Sequence, residues 1–140
     1  MAMARLRKQR GLTLDALGGL LGQSRQHLIT WEKGLARPTP VKLVALAQAL
    51  GVEPSALTTM SSEGPDLADL RAWAGLTQAQ LAAAAGIPRP TYSALERGAL
   101  ALRPEVARQV ATALGREPDD IRRAYERRRP AADAGGAGER

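Results

Sequence analysis

Apolar positions recur at helical spacing along most of the chain, and glycines separate the periods. Residues 3–10 (MARLRKQR) hold no strand formers and end at Gly11, which predicts a first helix. Leu14, Leu17, Leu20 and Leu21 then repeat with the spacing of one helix face, with Thr13 placed to cap the start and Gly22 to end it. Ser24 is placed to cap a third helix whose inward positions are Leu28 and Trp31, and Gly34 stops it. Thr39 and Pro40 open a fourth, with an apolar stripe of Leu43, Val44, Leu46, Ala47 and Leu50 closed by Gly51. Pro54 opens a short fifth turn that places Leu57. Gly18 and Gly19 are poor residues inside a helix, each about 1 kcal/mol worse than Ala. They predict a packing reason, such as close approach of another helix at Gly18.

The same pattern returns 64 positions later without a gap. GLTLDALGGLLGQSRQHLITWEKG at 11–34 is matched by GLTQAQLAAAAGIPRPTYSALERG at 75–98. Across residues 6–57 and 70–121, 17 of 52 aligned positions are identical, among them Arg7/Arg71, Gly22/Gly86, Arg25/Arg89, Glu32/Glu96 and Gly51/Gly115. One structural unit is therefore present twice. Residues 58–65, TTMSSEGP, break the periodicity and read as a linker. The predicted organisation is a first domain over 1–57, the linker 58–65, and a second domain over 66–129. The second ends in a basic helical extension that carries Ile121, Ala124 and Tyr125 on one side. An Ala/Gly-rich tail over 130–140 is expected to be disordered.

A helix, a tight glycine turn and a second helix form a helix-turn-helix, in which the first helix braces and the second presents its opening turn to base edges. Leu17, Gly18, Leu21, Gly22, Leu28 and Trp31 fit the apolar, small and turn positions of that motif. Leu81, Ala82, Ala85, Gly86, Tyr92 and Leu95 fit them again. Two gapless matches with the same flanking helices make the signal specific.

On these residues, both halves resemble the phage repressor/Cro-type (XRE) helix-turn-helix domain, and together the matches cover roughly residues 3–125. The resemblance implies an all-α fold of two tandem five-helix domains joined by a short linker, binding double-stranded DNA. It assigns base reading to the start of the third helix of each repeat. In the first these are Arg25 and Gln26, with Thr30 one turn on, Ser24 placed for phosphate, and His27 able to donate to one. In the second they are Arg89 and Thr91, with Ser93 on the same helix and Ala94 where Thr30 stood. Arg suits guanine and Gln suits adenine, each good pair giving roughly 1–3 kcal/mol of discrimination. The family commonly opens its second helix with a Gln that ties the motif to a phosphate and to the reading helix. Gln78 fits that pattern and Leu14 does not. Backbone contacts are expected from Lys33 and Arg37, and from Arg97 and Arg103. Arg7 with Glu32 and Arg71 with Glu96 correspond to the family's internal salt bridge, a structural role.

Charge sharpens the difference between the repeats. Of the net +6, residues 1–57 carry +5, residues 66–121 carry −1 and residues 122–140 carry +3. A basic first repeat and a near-neutral second point to a polyanion engaged unequally. With no Cys, one His and no phosphate-cradling loop, the chain offers no catalytic or metal-binding set, so neither an enzyme nor a cofactor is expected. No apolar run approaches the roughly 18 residues of a membrane span and nothing resembles a signal peptide, so an intracellular protein is expected. The resemblance adds the expectation of a cytoplasmic, nucleoid-associated protein of bacterial type.

The leading expectation is a sequence-specific transcriptional regulator, read as a repressor, with two unequal modules tethered in one chain. Eight linker residues reach about 26–29 Å when extended, so engagement of grooves about 34 Å apart is feasible once domain width is added. The competing expectation is an adaptor or antitoxin-like protein. In it one repeat binds DNA, while the second repeat or the C-terminal helix docks a protein partner or a second copy.

Overall fold

The computed structural model describes residues 2–58 and 64–136, with side chains as far as Arg127. The first unit contains α1 (Met3–Gln9), α2 (Leu14–Leu21), α3 (Arg25–Glu32) and α4 (Pro40–Leu50), followed by a 3-10 turn, Pro54–Leu57. The second contains α5 (Leu67–Trp73), α6 (Gln78–Ala85), α7 (Arg89–Arg97), α8 (Pro104–Leu114) and α9 (Pro118–Gly136). Helices account for the regular structure, and no β-strand occurs among the described residues. The chain divides into two compact units at Thr59/Met60. Residues 59–63 of the expected linker lie outside the described residues.

Local chemistry sets the helix ends. Thr13, Ser24 and Thr39 accept from the backbone N–H three residues on, at 3.0, 3.1 and 3.4 Å. Asp66 and Thr77 go further and form reciprocal capping boxes with Asp69 and Gln80. Gly22 and Gly86, the turn glycines of the two motifs, sit at φ 66° and 74°, where a Cβ would strain the backbone.

In the first unit α2 packs on α3 and α4, and α1 on α3. Its core is Met3, Leu17, Leu28, Trp31, Leu43, Leu46, Ala47, Leu50 and Leu57. Leu20 corrects the expected face of α2, being 65% exposed. At about 100° per residue, buried Gly18 draws the centre of the packed face to the far side of Leu17, and Leu20 falls outside it. Gly18 has a packing reason, set by the turn first and only in ordinary contact by the neighbouring helix α3, whose Leu28 would lie 3.6 Å from an added Cβ. A Cβ there would lie 2.5 Å from the carbonyl oxygen of Gln23, in the motif's own turn. Gly19 faces open space.

In the second unit α6 packs on α7 and α8, and α9 closes the bundle against α5, α7 and α8. Ile121, Ala124 and Tyr125 are buried there, and the Tyr125 hydroxyl donates to the Leu100 carbonyl at 2.8 Å. Arg127 donates to the Pro65 carbonyl at 3.0 Å, tying the start of the unit to its last helix. The α9 backbone stays helical to Gly136, past Pro130, where the sequence suggests disorder. Residues 137–140 of the expected tail lie outside the described residues.

Candidate nucleic-acid interface

The second helix of each helix-turn-helix, α3 or α7, is buried on one side and open on the other. In α3, Leu28 and Trp31 are 0% and 1% exposed and anchor the helix to the core. Arg25, Gln26 and His27 are exposed in the first turn, and Ser24 is exposed at the cap. The Ser24 oxygen accepts from the His27 N–H, leaving its hydroxyl proton free to donate. Thr30 is half-buried and its hydroxyl donates back to the Gln26 carbonyl at 2.7 Å. Its oxygen is therefore left mainly as an acceptor. The His27 ring lies against Trp31, centroids 5.1 Å apart and planes tilted by 53°. Lys33, the residue that closes α3, and Arg37 in the following loop are both exposed.

In the second repeat, Pro88 occupies the cap of α7 without offering a side-chain acceptor, and Pro90 stands in the first turn. That turn needs no N–H from Pro90, so the helix forms as expected. Arg89 is exposed, while Thr91 and Ser93 are half-buried. Arg97 donates to the Ser93 hydroxyl oxygen at 2.8 Å, coupling two of the expected contact residues. Arg103, at the start of α8, lies 4.0 Å from Glu105, and both are well exposed. The structure thus brings Ser24, Arg25, Gln26 and His27 into one turn, with Thr30 a turn on. The second repeat's opening turn offers only Arg89 and Thr91.

Under α7 lies a polar hub. Arg71 Nε meets Glu96 Oε2 at 2.5 Å and its Nη2 meets Oε1 at 3.3 Å. The Gln78 amide donates to Oε1 at 2.9 Å, and the Tyr92 hydroxyl to Oε2 at 2.6 Å. Burial alone would raise the Glu96 carboxyl's pKa, but the hydrogen bonds from Arg71, Tyr92 and Gln78 outweigh it and hold the group below the ordinary carboxylate range. Burial pushes the Tyr92 phenol far up, with the Glu96 charge adding to the effect. Gln78 joins α6 to the reading helix through Glu96, as the sequence pattern implies. In the first repeat the corresponding pair is simpler, with Arg7 Nε 2.8 Å from Glu32 Oε2. Leu14 and Leu28 stand where Gln78 and Tyr92 would add bonds. In both repeats the arginine also donates to the carbonyl of the residue after the glycine stop, Leu12 or Leu76, at 2.8 and 2.9 Å.

Sequence reasoning identified the two ion pairs but missed the part played by Tyr92. The available signal was a Tyr four residues before a Glu on one helix, a spacing that brings side chains together. Among the described residues no cluster of His, Asp or Glu could hold a metal ion, and no helix is long and apolar enough to cross a membrane.

Comparison with known proteins agrees with this geometry. The Helix-turn-helix family model matches residues 3–57 and again residues 67–121. An uncharacterized HTH-type transcriptional regulator, y4dJ of Sinorhizobium fredii (strain NBRC 101917 / NGR234), is 44% identical over 62 residues. That span is 44% of this chain and 80% of the relative, about the length of one repeat. Two complete matches in tandem, covering most of the chain, place this protein in the helix-turn-helix family.

Proposed function

We infer that this chain is a DNA-binding transcriptional regulator of bacterial type, a repressor in our reading, that reads duplex DNA with two unequal modules. One observation carries the inference. Each repeat seats a short helix on a buried platform and leaves an arginine, Arg25 or Arg89, exposed in its first turn. Arg25 and Gln26 read base edges, Ser24 and His27 meet phosphate, and Thr30 accepts one turn on. Arg89 and Thr91 read for the second repeat, with Ser93 beside them. Lys33, Arg37, Arg97 and Arg103 hold the backbone, and Gln78 supports both its reading helix and a phosphate. The first repeat supplies most of the specificity.

Tethering makes the second contact intramolecular and raises avidity by about 10²–10⁴ over either repeat alone. The adaptor reading, with one DNA-binding and one partner-binding repeat, is not favoured, because both repeats match the same family model. A homodimer contact through the second repeat or α9 is compatible with the DNA-binding role. A cytoplasmic location follows from the same role.

Selection of bound duplexes from a random pool, followed by footprinting of one chain on the winner, tests the proposal. The expected site is asymmetric, because SRQHLITW and PRPTYSAL present different side chains. Two identical half-sites under one monomer would overturn that reading, as would the absence of any enriched sequence.

A further inference from the structure

We propose that His27 makes the first repeat's hold on DNA proton-linked, with the imidazolium form donating to a phosphate oxygen of the duplex. The proposal rests on the DNA-binding role above. His27 is exposed in the first turn of α3, beside Arg25 and Gln26. Its backbone N–H is already bonded to Ser24, so its ring is the group left to meet the duplex. That ring does not sweep solvent freely. It leans on Trp31, whose indole is 1% exposed and therefore a fixed seat. Histidine is the side chain whose charge changes between about pH 5 and 8, and only its doubly protonated form is both a cation and a donor at each nitrogen.

The charged groups on α3 and on the helices packed against it are mostly cationic. The helices packed on α3 are α1, which brings Arg5, Arg7 and Lys8, and α2, which brings Asp15. On α3 itself and its C-terminal cap stand Arg25, Glu32 and Lys33. Glu32 is turned to Arg7 at 2.8 Å, and among the described residues no carboxylate is paired with the His27 ring. A DNA phosphate beside the ring supplies an anion, which favours its protonated form in the bound state. The second repeat provides the contrast, since Thr91 stands at the matching position and does not titrate in this range.

The test is fluorescence anisotropy of the full chain on the duplex recovered by selection, across about pH 6 to 8 and a salt series. Wild type is expected to bind more tightly toward pH 6, by at most about tenfold per pH unit for one linked proton. Its log–log salt slope should steepen there by about 0.9, one added phosphate contact. His27→Gln should bind with a flatter pH profile and no change of salt slope. His27→Lys, a permanent cation, should hold the steep salt slope at both pH extremes. A wild type whose affinity is flat with pH, or a His27→Gln variant that keeps the wild-type profile, overturns the proposal and leaves the DNA-binding role standing. Absence of binding by every variant at every pH and salt overturns both.

Discussion

The Tyr92 hydroxyl donates to Glu96 Oε2 at 2.6 Å, one turn along the same helix, and both residues are buried beneath the reading face of the second repeat. The first repeat has Leu28 and Glu32 at these positions, so its carboxylate keeps the arginine partner but lacks the phenol. α3 and α7 are therefore held in place differently, α3 by packing around Trp31 and a single ion pair to Arg7, α7 by a hydrogen-bonded hub around Glu96.

Tyr92→Phe removes one donor from a buried charge. Hydrogen bonds to charged groups contribute about 1.5–3 kcal/mol, and the second repeat should lose stability in that range. Native-state hydrogen exchange reads the loss directly. Amides of α5 to α9 should lose protection while those of α1 to α4 keep theirs. Equal loss in both repeats, or none in the second, would show that the phenol is not a structural donor.

The pH dependence of the second repeat follows from the same hub. Glu96 is held below its ordinary range, so its contribution is present above the unfolded value of about 4.3 and lost as pH falls through the lower folded value. Tyr92 is shifted the opposite way. Its contribution is present below the unfolded value of about 10 and lost as pH climbs beyond it. Protection of the second repeat should therefore fall in acid below about pH 4 and again above about pH 10. Glu96→Gln should be less stable at neutral pH and should flatten the acid limb. An acid limb of unchanged steepness in that variant would mean another carboxylate is responsible.

Adjacent glycines in α2 should respond with opposite signs. Gly19 has no neighbour within 4 Å of an added Cβ, and Gly19→Ala should stabilise the first repeat by about 0.5–1 kcal/mol through helix propensity. At Gly18 the added Cβ meets the Gln23 carbonyl at 2.5 Å. A backbone oxygen cannot swing aside as a side-chain tip can, so Gly18→Ala should destabilise despite the same gain in propensity. Ala82 holds this place in the second repeat, where Ile87 follows the turn glycine. Denaturant unfolding of the two variants checks the signs, and stabilisation by both would mean that the turn yields at little cost.

Much of this fold is legible in the sequence because its punctuation is local. Thr13, Ser24 and Thr39 cap the helices they precede, and the turn glycines adopt the positive φ that an L side chain resists. The gapless duplication added confirmation that no single window could give. What stayed hidden depends on tertiary placement. Periodicity put Leu20 on the packed face because it ignores glycine, whereas buried Gly18 sets where that face is centred. Likewise, the convergence of Arg71, Gln78 and Tyr92 on Glu96 joins three helices that lie apart in sequence. At the candidate interface, the Ser24 cap and the exposed positions of Arg25 and Arg89 were readable from the motif. That Thr30 turns its proton back to Gln26, and that Ser93 is held by Arg97, was not.

The unequal division of reading between the repeats is tested most directly by titrating wild type, Arg25→Ala and Arg89→Ala against the selected duplex and a scrambled one. Arg25→Ala is expected to lose roughly 1–3 kcal/mol of discrimination and more specific affinity than Arg89→Ala, because the first repeat holds the fuller reading turn and the +5 charge. Equal losses from the two variants, or a larger loss from Arg89→Ala, would contradict it.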